Sequence, residues 1–263
     1  MRKPLVGTGW KMNHGIAATE AYARRLLALL REDPADGLDI FVLPPFVSLS
    51  TAAREFAGSP VAIGGQTMHW DASGAWTGEI SAPMLAEIGC RFVELAHSER
   101  LQHFGETYDL VRLKVDAALQ GGLEPILCLG ESAEDRRMGQ SDSVLREQVT
   151  TALASVTAGM LPRVVLAYEP RWAIGVAEAA PPSYVAERHA GLRETLADCW
   201  GEPAATATRI IYGGSVSPAN GAELIALENV DGLFIGRAAW TPEGFAAMIR
   251  IVAEAKQEAD GSF

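Results

Sequence analysis

Three side chains able to hold or move a proton, Lys11, His97 and Glu169, each stand where a short apolar run breaks off. Glu169 closes the run Val164 to Tyr168 and is followed by Pro170, which lacks the N–H that further strand pairing requires. A carboxylate at the end of a strand is held in place by the sheet. The segment behind it, from Arg171-Trp172 through the small-residue hinge to Gly175, can close and exclude water. Lys11 follows Leu5 to Trp10, and His97 follows Phe92 to Ala96 at the head of His97-Ser98-Glu99-Arg100. The turns Gly213-Gly214-Ser215 and Gly236-Arg237 offer unhindered backbone amides of the kind that hold a phosphate. An ammonium, an imidazole and a carboxylate beside such a cradle suit proton transfer between adjacent carbons of a phosphorylated hydroxyketone. Taken singly, each residue has a plainer reading: Lys11 and Glu169 as solvated strand-end charges, His97 as a loop histidine, the glycines as a tight turn. Convergence on one face is what separates the two readings.

The elements that would bring them together follow from hydrophobic period. Strands are predicted at Leu5 to Trp10, Asp39 to Leu43, Val61 to Gly64, Phe92 to Ala96, Pro125 to Leu129, Val164 to Tyr168, Arg209 to Tyr212 and Gly232 to Ile235. Helices are predicted at Ile16 to Arg31, Val47 to Ala57, Pro83 to Ile88, Thr107 to Gln120, Ala133 to Ala158, Ser183 to Cys199, Asn220 to Leu227 and Pro242 to Ala259. Continuously apolar strands alternating with helices indicate a parallel sheet covered by helices. An open doubly wound sheet satisfies the alternation as well, but its glycine-rich phosphate turn belongs after the first strand. Here Gly-Gly turns are expected after the third and seventh strands, and a closed (β/α)8 barrel places its phosphate site in the loops after strands seven and eight. The expected architecture is therefore α/β, a single barrel domain over residues 1–263, with Lys11, His97, Glu169 and both glycine turns on one face.

Bulk properties limit the partners. A net charge of -11 argues against nucleic-acid and anionic membrane surfaces, so an anion would have to be held by local amides and one or two cations. Cys90, Cys128 and Cys199 lack metal-ligand spacing and are odd in number, which points to reduced thiols and a cytoplasmic setting. Cys128 is expected to pack rather than react, since nothing adjacent marks it as an activated nucleophile. No run approaches the roughly 20 apolar residues of a membrane span, and residues 1–10 have no signal-like apolar core.

The motifs Trp10-Lys11-Met12-Asn13, Thr77-Gly78-Glu79-Ile80-Ser81, His97-Ser98-Glu99-Arg100, Phe104-Gly105-Glu106-Thr107, Ile126 to Glu131, Tyr168-Glu169-Pro170, Trp172-Ala173-Ile174-Gly175, Tyr212 to Val216 and Val230-Asp231-Gly232 occur in this order. Along nearly its whole length the chain resembles the triosephosphate isomerase family, whose fold is the TIM barrel. The resemblance implies that Glu169 takes a proton from the carbon beside the substrate carbonyl and that His97 shuttles a proton between the substrate oxygens. It makes Lys11 the stabiliser of the enediolate and the phosphate. It also implies a neutral histidine, its pKa lowered by a helix N-terminus, with Ser98 consistent with a helix start. Glu99 would orient Lys11 and His97 from beneath, or serve only as an ion-pair partner. Amides of Gly175, Ser215 and Gly236, with Gly213, Gly214 and Arg237, would hold the phosphate. The segment from Ala173 to Ala177 would close as a lid and suppress phosphate elimination. No metal or organic cofactor is implied. In the family, the loop matching Gln66 to Ser81 docks into a neighbouring subunit, so a homodimer is expected, with Trp70 and Trp76 at the interface and Thr77 supporting the partner's lysine and histidine.

Departures from the family pattern cluster near the substrate. Gly9 stands where an asparagine is usual, Arg237 replaces a second glycine, Ala239-Trp240 replaces Ser-Leu, Arg171 replaces valine, and Val176-Ala177-Glu178 replaces the usual hinge. Gly9-Trp10-Lys11, the loop Met68-His69-Trp70 with Gly74-Ala75-Trp76-Thr77-Gly78, and Phe234-Ile235-Gly236-Arg237 together resemble the branch called L-erythrulose-1-phosphate isomerase. That branch implies a substrate carrying one more hydroxymethyl group, with Gly9 providing room for it and Arg237 adjusting the phosphate end. A triose phosphate substrate and a barrel that binds a sugar phosphate without turning it over are the alternatives; the second would predict damage to Lys11, His97 or Glu169, and all three are present.

Overall fold

The computed structural model describes residues 2–34, 36–174 and 179–260, without the side chains of 257–260. Strands β1 (Leu5–Gly9), β2 (Asp39–Leu43), β3 (Val61–Gly65), β4 (Phe92–Leu95), β5 (Glu124–Leu129), β6 (Val165–Tyr168), β7 (Arg209–Tyr212) and β8 (Gly232–Ile235) pair in sequence order, all parallel. The sheet closes where Leu5 pairs with Gly232 and Thr8 with Ile235. The open-sheet alternative is thereby excluded.

Alternation along each strand sorts the core into two shells. Leu5, Phe41, Leu43, Phe92, Ile126, Cys128, Val165, Ala167, Ile211 and Phe234 form a buried cluster of their own inside the barrel. The Phe41 ring lies 5.3 Å from that of Phe92 and 5.2 Å from that of Phe234, so aromatic packing fills the interior. Gly7 makes room for it: a Cβ there would sit 2.1 Å from the Phe41 ring. Residues of the opposite parity, such as Val6, Val42, Val93, Leu95, Leu127 and Leu166, pack outward with Tyr22, Leu26, Val111, Val115, Leu192 and Phe245 of the helices. Below the aromatic layer, ion pairs tie the strand starts together. Asp39 pairs with Lys3, Arg91 and Arg209, and Glu124 with Arg91 and Arg209, at 2.7–3.1 Å.

Several expectations are corrected. Strand β3 takes in Gly64, as expected, and also Gly65, so no Gly-Gly turn follows it; a Cβ on Gly64 would sit 2.4 Å from the backbone oxygen of Phe92, so the close approach of β4 requires glycine. The helical stretch predicted from Ala133 to Ala158 is two helices, Ala133–Arg137 and Ser141–Ala152, with Gly139 between them at φ +68°, a conformation that breaks the helix cheaply only at glycine. A helix at Glu202–Ala207 was not foreseen, because its alanine-rich sequence shows no amphipathic period. No helix among the described residues is long and apolar enough to cross a membrane.

Candidate active site

Lys11, His97 and Glu169 reach one pocket at the C-terminal ends of the strands, of about 450 Å³ and lined also by Gly9, Glu94, Ile174, Phe234 and Trp240. The backbone sets two of the three. Lys11 sits at φ +53°, a left-handed conformation that costs a side-chain-bearing residue roughly 1 kcal/mol or more. It is held there by Gln66, whose amide donates to the Lys11 carbonyl at 2.9 Å and to the Leu43 carbonyl at 3.0 Å. Ala96, at φ +62°, makes the corresponding turn out of β4 and delivers His97 to the pocket.

The short helix Ser98–His103 starts at Ser98, as expected, and His97 itself is its cap. The Glu99 N–H donates to His97 Nδ1 at 3.1 Å, so in the neutral ring the proton resides on Nε2, which faces Glu169 Oε2 at 3.8 Å. Burial, and then the nearby Lys11 ammonium, lower the imidazole pKa to about 4, so the ring is neutral at physiological pH. Glu99 accepts an ion pair from Lys11 at 2.6 Å and approaches His97 Nδ1 at 3.7 Å. Its side chain is 47% exposed, so it reaches these two from the rim of the pocket and not from beneath.

Glu169 is fixed from both sides. Its N–H donates to the Leu129 carbonyl at 2.7 Å, and the Gly213 N–H donates to the Tyr168 carbonyl at 2.8 Å. A Cβ on Gly130 would lie 1.9 Å from the Glu169 backbone oxygen, and one on Gly213 would lie 2.5 Å from Oε1, so both glycines are required by the position of Glu169. Burial, and then the neighbouring Glu94 carboxyl, push the Glu169 pKa well above the carboxylate range. The turn that follows, Arg171–Ala173, is anchored through Trp172, whose indole donates to buried Glu131 at 2.7 Å; Tyr168 and Tyr184 donate to the same carboxylate. Arg171 contacts Asp135 at 3.5 Å. The hydroxyl of Ser215 donates to the Ala173 carbonyl at 2.7 Å, linking this turn to the glycine turn after β7.

Gly213, Gly214, Ser215, Gly236 and Arg237, the residues expected to hold a phosphate, line the same pocket. Gly175 and the hinge Val176-Ala177-Glu178, and with them most of the expected lid, lie outside the described residues. Trp240, one of the departures from the family, donates its indole N–H to the Gly9 carbonyl at 3.2 Å, which fixes the backbone of the vacated position.

One pocket residue escaped the sequence reading. Glu94 faces inward from β4, two residues after Phe92, and its carboxyl is buried against the Cys128 thiol at 3.7 Å. The signal was available: a carboxylate at an interior position of a strand otherwise made of Phe92, Val93 and Leu95. Burial raises its pKa to about 8, against the pull of Lys11. Donor atoms of Glu94, Cys128 and Glu169 lie within 4.8 Å of one another, a convergence the spacing of the cysteines gave no reason to expect. All three groups are pushed toward their protonated forms, with burial the leading cause, and protonated thiols and carboxyls are poor metal ligands.

Comparison with known proteins agrees with this geometry. Residues 4–252 match the family model described as triosephosphate isomerase. An L-erythrulose-1-phosphate isomerase of Rhizobium etli is 46% identical over 95% of this chain and 92% of its own length. A triosephosphate isomerase of Chlorobium chlorochromatii is 44% identical over 96% and 99%. The crystal structure of triosephosphate isomerase from Bartonella henselae superimposes with a TM-score of 0.85 at 32% identity, covering 95% of this chain and 98% of that one.

Proposed function

We propose that this chain, which belongs to the triosephosphate isomerase family and is an isomerase of phosphorylated sugars, converts L-erythrulose 1-phosphate to D-erythrulose 4-phosphate. Relatives of nearly equal identity carry both names, so the choice rests on the pocket. The observation that carries it is Gly9: the strand end beside Lys11 bears no side chain, and a Cβ there would point between the Phe234 ring at 3.5 Å and the Glu94 carboxyl at 3.7 Å. The space an asparagine would fill is left for the substrate.

In this reading Glu169 removes the proton from C3, which bears a hydroxyl and a hydroxymethyl group. The C–H electrons form the C2–C3 double bond, and the carbonyl oxygen on C2 becomes the enediolate oxygen. His97 Nε2–H and the Lys11 ammonium stabilise that charge. His97 then gives its proton to the oxygen on C2 and takes one from the oxygen on C3, and the protonated Glu169 returns a proton to C2, leaving the carbonyl on C3. A neutral imidazole suits this exchange, because its Nε2–H is a weak acid comparable to the enediol hydroxyls it shuttles for, whereas an imidazolium is far more acidic than they are. The phosphate rests against Gly213, Gly214, Ser215, Gly236 and Arg237, with Gly175 as a further donor. The protein is taken as one domain over residues 1–263, acting in the cytoplasm as a homodimer joined through the loop Gln66 to Ser81. In that loop His69 stacks on Trp70 at 4.0 Å, and Trp76 is held by Asp71 while remaining 46% exposed.

Side-by-side kcat/KM values for L-erythrulose 1-phosphate and glyceraldehyde 3-phosphate test the assignment. Preference for the tetrulose phosphate is the expected result; preference for the triose phosphate would return the chain to the three-carbon reaction.

A further inference from the structure

We propose that Glu94 is the residue that selects the longer substrate, its carboxyl hydrogen-bonding the terminal hydroxymethyl group carried by the reacting carbon of a four-carbon ketose phosphate. The inference rests on the four-carbon reading above and assigns the contact that reading lacks. A base must come within about 3–3.5 Å of the carbon it deprotonates. One carboxylate oxygen of Glu169 lies within 4.8 Å of a Glu94 oxygen, so a substituent on that carbon directed toward the pocket floor falls within reach of Glu94. In a triose phosphate that substituent is hydrogen; in the tetrulose phosphate it is CH2OH.

The surroundings of Glu94 leave it in need of such a partner. Its carboxyl is buried, yet among the described residues the hydrogen bond it receives comes from the Cys128 thiol, a weak donor, at 3.7 Å. The neighbouring wall is the Phe234 ring, and Gly9 leaves the adjacent position without a side chain. A buried carboxyl with one weak partner is costly, and a ligand hydroxyl entering beside it both donates and accepts. Protonated at neutral pH, Glu94 also avoids placing a second negative charge against the base. An apolar residue at this position of the strand would fill the same volume and offer the hydroxyl nothing.

The test compares L-erythrulose 1-phosphate with its 4-deoxy analogue, in which a methyl replaces the hydroxymethyl. The unaltered enzyme should favour the hydroxylated substrate in kcat/KM by about a hundredfold, because a site built to bind a hydroxyl rejects the molecule lacking it. In Glu94→Leu the ratio should fall to near one, whereas Glu94→Gln, which keeps a donor and an acceptor, should retain most of it. A purely structural role for Glu94 would lower both activities and leave the ratio intact, and that result overturns the proposal. So does a Gln variant as indifferent as the Leu variant. If the Leu variant does not fold, the unaltered enzyme and Glu94→Gln still decide, since equal kcat/KM for the two molecules overturns it. An enzyme that turns over triose phosphate but neither four-carbon molecule refutes the four-carbon reading itself, and the role of Glu94 falls with it.

Discussion

At the scale of single residues, the pocket separates three carboxylates by environment. Glu99 sits at the rim and keeps its charge beside Lys11, where burial is outweighed by the ion pair and its pKa is lowered. Glu169 and Glu94 are buried near one another and raised. If Glu169 is the proposed base, replacing it with Gln removes the proton acceptor while preserving shape, so kcat should fall by about a thousandfold, with loss of solvent hydrogen exchange into the substrate and little change in folding. Glu94 has a different signature in stability. Its folded pKa of about 8 exceeds the roughly 4.3 of an unfolded glutamate, so the stability it contributes is complete below about pH 4 and is lost as pH rises toward 8. His97 has the opposite sign: with a folded pKa of about 4, its contribution is present above about 6.5 and lost as pH falls through 4. Thermal melts of Glu94→Gln between pH 5 and 8 should therefore decline less steeply than those of the unaltered protein; parallel curves would contradict a raised Glu94.

At the scale of elements, the site is made by where strands stop. The ends of β5, β6 and β7 are drawn together at Gly130, Glu169 and Gly213, and the two glycines leave no volume for a methyl group beside Glu169. Gly213→Ala would drive a Cβ to 2.5 Å from Glu169 Oε1. The displaced carboxylate should cost about a hundredfold in kcat at a melting temperature close to the original, as measured by steady-state kinetics and calorimetry. Much of this was legible in the sequence. Apolar runs ending in Lys11, His97 and Glu169, and the glycines after β7, were visible because strands buried on both faces leave an uninterrupted pattern. What was not legible needed the third dimension. Gly64 and Gly65 look like turn residues until the backbone of β4 is seen beside them, and Glu99 reaches the rim because of the direction of a helix shorter than two turns. Glu94 was overlooked because an interior carboxylate in an apolar strand has no motif of its own.

At the scale of the whole molecule, Met12, Val47, Trp76 and Phe104 stay exposed at 96%, 76%, 46% and 68%, on segments that follow β1, β2, β3 and β4 at the pocket end of the barrel. Side chains of this kind in a chain of net charge -11 fit a covered surface. Sedimentation should give twice the 28.0 kDa chain mass, and Trp76→Glu should shift it toward the monomer with a loss of activity. The barrel also has a closed bottom, with phenylalanine rings above a ring of ion pairs, so among the described residues the pocket opens at the opposite face. Reactant and product must therefore pass through one doorway, and neither can wait behind the other. Under the proposed four-carbon reaction, D-erythrulose 4-phosphate added at the start should raise the apparent KM in proportion to its concentration and leave the maximal forward rate untouched. Which way the conversion runs would then be set by how fast neighbouring reactions drain one ketose and replenish the other.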